Sequence, residues 1–159
     1  MSFPADFETL AGTRLWIATG RPTDNTEAAF DTLFATGAKE FTVTKVGTIE
    51  GREYNTSEID VVSQSQVRTK KGNYKLPTSE WEILNDGTGG SYDLARTAMQ
   101  SSSIYSFCAI RQSGAQLYFT AQVMNLKENG GGSNDSITYA LSLLFQTEAI
   151  KALTPVVPG

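Results

Sequence analysis

The chain has 159 residues and a single cysteine, so it is long enough for a hydrophobic core and cannot close an internal disulfide. Its formal charge is -4 and its pI about 4.8, which argues against a protein that grips nucleic acid by neutralising phosphates, but not against one that lets nucleic acid pass. The 14 glycines point to many turns, no run approaches the roughly eighteen apolar residues of a membrane helix, and the start MSFPADFETL lacks the basic and apolar regions of a signal peptide.

In chain order, Met1–Gly12 forms an arm or short lead-in, and Thr13–Thr19 is the first strand, ended by Gly20 and Pro22. Residues 20–38 read as a long loop. Within it, Thr26–Phe34 fits either a turn of helix, with Ala29, Phe30 and Leu33 on one side, or a surface loop with hydrophobic anchors. Alternation resumes over Phe41–Val46. Glu58–Gln66 is the next expected strand, with Ile59 and Val61 on one side and Glu58, Asp60 and the polar run Ser63, Gln64, Ser65, Gln66 looking outward. Residues 67–79 read as a long projecting loop, basic in an otherwise acidic chain through Lys70, Lys71 and Lys75, with Gly72 and Pro77 as breakers. Trp81–Leu84 begins a further strand that stops at the turn-rich Asn85–Gly90.

Ser91–Ser101 carries the clearest helical pattern, pairing Leu94 with Ala98 and Ala95 with Met99 on an apolar face. Ser91 is placed to cap its first-turn amides, and Asp93 favours the positive end of the helix dipole. Three long alternating runs follow: Ile104–Gln112, Gln116–Lys127 and Ser136–Gln146. The middle run sets Leu117, Phe119, Ala121 and Val123 against Gln116, Thr120, Gln122, Tyr118 and Met124. The last puts Ile137, Tyr139, Leu141, Leu143 and Phe145 on one face. A period of two with aromatic and branched side chains predicts an antiparallel meander with one buried and one wetter face. Phe119, Val123, Tyr139, Leu141 and Leu143 are the expected core. Pro155 and Pro158 keep Thr147–Gly159 from forming a long regular element.

The residues that carry chemistry are few. With no histidine, serine–histidine and cysteine–histidine catalysis are excluded. Cys108, between Phe107 and Ala109, reads as a buried small hydrophobe. Asp86–Ser91 (DGTGGS) lacks the lysine and spacing of a phosphate loop and reads as a glycine-rich strand-to-helix connection. Glu58 with Asp60 has no oxygen-rich loop to make a calcium site, and Glu27 with Asp31 reads as helix surface. No catalytic, metal or cofactor site is expected, and the chain is not expected to be an enzyme.

The order of several motifs resembles siphophage major tail tube proteins. They are Tyr105-Ser-Phe107, Ser113-Gly114, Tyr118-Phe119-x-Ala121-x-Val123 and Asn134-Asp135-x-Ile137, preceded by Gly12-Thr13-x-Leu15-Trp16-Ile17, Glu58-Ile59-Asp60-Val61, Lys70–Pro77 and Trp81-Glu82-Ile83. Asp86 to Ala98 is similar to the family's connection into a single helix. Residues 20–38 are long for the opening hairpin, and no C-terminal immunoglobulin-like module follows. The resemblance implies a mainly β fold of sandwich or barrel-like antiparallel sheets with one flanking α-helix, as a single tail tube domain over 1–159. It also implies hexameric rings stacked into a tube, growing around a tape measure protein, meeting tail terminator and tail tip proteins, and conducting DNA without binding it specifically. Such a protein sits in the virion tail, is assembled in the host cytoplasm and needs no membrane or cofactor. On this resemblance Lys70, Lys71 and Lys75 form an inter-ring loop, and Glu58, Asp60, Gln64 and Gln66 line a polar lumen or sheet face. The alternatives are a monomeric β-sandwich module binding carbohydrate or protein through Trp16, Trp81 or Tyr118, and a virion glycosidase using Glu58 and Asp60, whose spacing suits that chemistry poorly.

Overall fold

A computed structural model of the chain describes residues 9–61 and 66–158, without the side chains of 60, 61 and 66–68. In β1 (Arg14–Ala18) the alternation buries both faces, Leu15 and Ile17 on one and Trp16 and Ala18 on the other. α1 (Glu27–Phe34) starts at Thr26, whose hydroxyl accepts from the Ala29 amide at 3.4 Å, and its Phe30 and Phe34, four apart, are both buried. A short extended segment then carries β2 (Lys39–Glu40) and β3 (Val43–Lys45), separated only by Phe41 and Thr42.

β4 (Glu53–Val61) and β5 (Gln66–Lys75) form a hairpin that pairs with no other strand among the described residues. β6 (Thr78–Ile83), α2 (Ser91–Met99), β7 (Tyr105–Ile110), β8 (Gln116–Glu128), β9 (Tyr139–Phe145) and the two-residue β10 (Ile150–Lys151) complete the chain. The large sheet is antiparallel throughout, in the order β2-β1-β7-β8-β9-β6-β3, with β10 also on β8.

This sheet curls into a half-barrel. Residues 39–45 link its two margins: β2 lies on β1 while β3 lies on β6, and the Phe41 and Leu84 amides donate to Leu15 and Thr42 carbonyls at 2.8 and 2.9 Å. β8 makes the opposite bend. Its first half pairs with β7 and its second with β9, and Ala121 lies opposite both Tyr105 and Phe145. Leu15, Ile17, Phe41, Trp81, Ile83, Phe107, Phe119, Leu141 and Leu143 fill the interior, and Ala95 and Ala98 of α2 pack into it. Of the expected core residues, Phe119, Val123, Leu141 and Leu143 are buried and Tyr139 is half-buried. Cys108 is fully buried, and desolvation pushes its thiol pKa up to about 12.

Several expectations are corrected. The segment 67–79 is not a loop, because it supplies β5 and the start of β6. The run 58–66 is not one strand, because it spans the end of β4 and the first residue of β5. An exposed hairpin needs no apolar face, so the mostly polar run of β5, QVRTKKGNYK, carries little hydrophobic signal. The wetter face expected for β8 is, over its first half, a second core in which Trp16, Ala18, Phe30, Phe34, Cys108 and Tyr118 pack under α1. Thus the segment 20–38 contributes core, and a second helix joins the expected one. Ile137 precedes β9 and is exposed.

Asp86, rather than Ser91, caps α2. Its carboxylate accepts from the Ser91 amide at 3.0 Å, the Ser91 hydroxyl at 2.7 Å and the Tyr92 amide at 3.1 Å. A Cβ at Gly90, the N-cap, would meet that carboxylate at 2.6 Å, so only glycine lets it approach. Burial opposes the charge on Asp86, but the hydrogen bonds from Ser91 and Tyr92 outweigh it and hold its pKa below the ordinary value. Because the folded pKa is depressed, this stability is present above the unfolded pKa and lost as pH falls through the lower folded value. Asp86→Ala should cost about 0.5–2 kcal/mol at neutral pH, nearer the lower figure because water screens the group. Denaturant unfolding of both proteins should show the difference shrinking in acid below the carboxylate range.

Candidate functional site

The two halves of the curled sheet differ on their outer faces. Over β1, β7 and the first half of β8, that face is sealed by α1 and by the C-terminal segment. The Glu27 carboxylate accepts from the Leu153 and Thr154 amides, both at 2.9 Å, and the Gln116 side-chain amide donates to the Val156 carbonyl at 2.9 Å. Beneath them Tyr118 donates to Asp31 at 2.6 Å, accepts from Gln116 Nε2 at 2.7 Å and stacks on Phe30 with ring centroids 5.0 Å apart. Desolvation first, and the Asp31 hydrogen bond second, push the Tyr118 phenol pKa well up, so it stays a neutral donor. Glu27 and Asp31, expected as helix surface, therefore fasten a layer of the fold. Trp16, Trp81 and Tyr118 are all buried, so none offers the stacking platform of a sugar-binding module.

Among the described residues, no helix covers the outer face over β6, β9 and the second half of β8. Cross-strand register builds three rows there: Gln122–Leu144–Thr78, Asn125–Ser142–Glu80 and Lys127–Ala140–Glu82. Every one of these side chains is half-buried or exposed. Thr44 of β3 extends the last row, donating to Glu82 at 2.9 Å. The result is a broad polar wall with two carboxylates and one lysine among its rows. The polar residues singled out from the sequence, Glu58, Asp60, Gln64 and Gln66, are not among its rows. The signal was present in Thr78–Ile83, where Glu80 and Glu82 alternate with the buried Trp81 and Ile83.

The hairpin is the second unpartnered surface. Glu58 is exposed on β4 opposite Thr69, while Asp60 and Gln66 are placed only by register, opposite Val67 and Val61. Gln64 lies outside the described residues. The three lysines do not share one face. Lys71 lies over the Tyr54 ring at 3.6 Å and Lys75 sits 3.6 Å from Glu53, while Lys70 is exposed opposite Ser57. Arg52 at the root grips Glu148 with two hydrogen bonds of 2.6 Å each, and that hydrogen-bonded pairing holds the Glu148 carboxyl below its ordinary pKa.

Among the described residues no group of three acidic or cysteine side chains is placed to hold a metal ion. The geometry offers a bare polar sheet face and an unpaired hairpin, both suited to contacts with other chains.

No protein-family model and no curated protein matches the sequence. Solved structures do match in fold. A chain of the anti-feeding prophage baseplate, six-fold symmetrised, superposes with a TM-score of 0.60 at 10% identity over 96% of this chain and 97% of that one. A chain of the PVC extracellular contractile injection system, sheath/tube terminator in the extended state, gives 0.59 at 9% identity over 94% and 99%. The SPP1 tail tube gives 0.54 at 12% identity over 87% and 75%. The fold is of the tail-tube type, and at these identities the correspondence is one of fold.

The sealed half generates a stability prediction. Tyr118→Phe keeps the ring but leaves Asp31 and the Gln116 amide without their shared partner. It should lower stability by about 1–3 kcal/mol in denaturant unfolding, although no apolar contact is lost.

Proposed function

We propose that the chain is a structural subunit of a phage-type tail, most specifically the major tail tube protein of a siphophage. On this reading copies join into hexameric rings, the rings stack into a tube around a tape measure protein, and terminator and tip proteins close the two ends. DNA then travels through the lumen without specific binding. The subunit would act in the virion tail after assembly in the host cytoplasm.

The observation that carries the proposal is the hairpin β4–β5, whose strands of nine and ten residues pair, among the described residues, only with each other. A lone two-stranded hairpin is marginal in water, and its outer edges are templates for further strands. Such an element is explained if neighbouring copies complete it. Support also comes from the order of the sequence motifs and from the assemblies in which the fold's neighbours occur. The bare wall of β6, β9 and β8 suits a channel lining, since it is polar and its two glutamates discourage tight contact with phosphates.

The lysines enter with one change. Lys71 and Lys75 already have partners within the hairpin, so Lys70 is the residue proposed to meet a carboxylate of the next ring. A partly exposed pair contributes only about 0–1 kcal/mol, but repetition around a ring multiplies weak contacts.

Concentrated protein, alone and with its tape measure protein, should form rings or tubes visible by negative-stain microscopy. Lys70→Glu should leave thermal unfolding unchanged while tubes shorten and lose part of their salt sensitivity. A wild-type chain that stays monomeric in sedimentation under both conditions contradicts the tube, whereas normal tubes from the variant remove only Lys70 from the account.

A further inference from the structure

We propose that Arg52 and Glu148 form a latch that sets the angle of the β4–β5 hairpin to the sheet, and through it the geometry with which copies meet. The second half of that statement rests on the tube reading, whereas the first does not.

The hairpin meets the body at two points. One is Gly51–Arg52, where Gly51 has a φ of +143°, a conformation open to glycine and strained for other residues. The other is Leu76–Pro77, directly before β6. Gly51, Leu76 and Pro77 border a small cleft with Ile49, Phe145 and Glu148. Among the described residues neither hairpin strand pairs with the sheet, so no backbone ladder there fixes the angle between the two.

Arg52 supplies the missing constraint. Its Nε and Nη2 donate to the two carboxylate oxygens of Glu148, on the turn between β9 and β10, each at 2.6 Å. Its Nη1 donates to the Tyr54 hydroxyl at 3.0 Å, and its guanidinium lies 4.4 Å from the centre of the Tyr74 ring. Tyr54 and Tyr74 face each other across the hairpin with ring centroids 5.4 Å apart, and the Lys71 ammonium lies over the Tyr54 ring. One planar guanidinium therefore ties the turn after β9 to both hairpin strands. A fork that meets a carboxylate in two-point geometry fixes direction as well as distance, which a lysine ammonium cannot do. The pair is about two-fifths exposed, 39% and 40% for the two side chains, so it suits a device that biases orientation more than one that holds the fold together.

The test uses the full chain with Cys108→Ala and spin labels at Ser57→Cys on the hairpin and Thr97→Cys on α2, both exposed positions. The distance distribution between labels is measured in the monomer for the unlatched variants Arg52→Gln and Glu148→Gln. It is measured also for the exchanged pair, Arg52→Glu with Glu148→Arg. A latch predicts a narrow distribution in the parent, a several-fold broader one in each single variant, and narrowing in the exchanged pair, with thermal unfolding of the sheet unchanged. Equal distributions in parent and single variants overturn the latch. Tube formation by unlabelled chains carrying only the latch substitutions, alone and with the tape measure protein, is then followed by light scattering: slowed assembly in the single variants with recovery in the exchanged pair supports the second half, and unchanged assembly despite broadened distributions overturns it. If the unsubstituted chain fails to assemble both alone and with its tape measure protein, the tube reading and the second half fall together, while the distance measurement still decides the latch.

Discussion

The architecture depends on β8 changing its surroundings halfway along. Up to Ala121 it is buried on both faces, between the interior core and the layer under α1. Beyond Ala121 its inner face stays buried through Val123, while Gln122, Met124 and Asn125 emerge. The register slip between Val123 and Asn125 accompanies that change, and a bulge of this kind strengthens the local twist and bends the strand. Because β7 leaves β8 where β9 joins it, the bend divides the sheet into a sealed half and a bare half. Residues 39–45 do the complementary work at the other margin, with Phe41 buried where the segment passes from β1 to β6.

Much of this was legible in the sequence because the meander buries one face along most of its length. Leu117, Phe119, Ala121 and Val123 recur every second residue, as do Leu141, Leu143 and Phe145, and the structure buries all of them. The second core was hidden by chemistry. Gln116, Thr120 and Tyr118 read as a wet face, yet each is buried with hydrogen-bond partners from distant segments: Val156, Thr147 and Asp31. A period of two reports which residues share a face, and polarity reports wetness only where no other element supplies partners. The helix α1 was ambiguous for the same reason, since Phe30 and Phe34 make sense only once Tyr118 lies beneath them.

The hairpin escaped notice for the opposite reason. Its strands face solvent on both sides, so lysine, threonine and asparagine occupy positions that a buried strand gives to apolar residues. Glycine and proline in Lys70–Pro77 looked like loop punctuation. Gly72 instead comes next to the register slip of the hairpin, and Pro77 comes just before β6. The sequence reading grouped the three lysines together, whereas strand register, which the sequence does not display there, separates Lys71 from Lys70 and Lys75.

The bare wall and the unpaired hairpin make sense together if copies surround a channel, with the sealed half turned away from it. Electron cryo-microscopy of the assembled protein tests that arrangement most directly. The account predicts a six-fold ring whose lumen is lined by Glu80, Asn125 and Ser142, with α1 and the C-terminal segment on the outer side. An assembly with α1 toward the channel and the β6–β9–β8 wall on the exterior would contradict it.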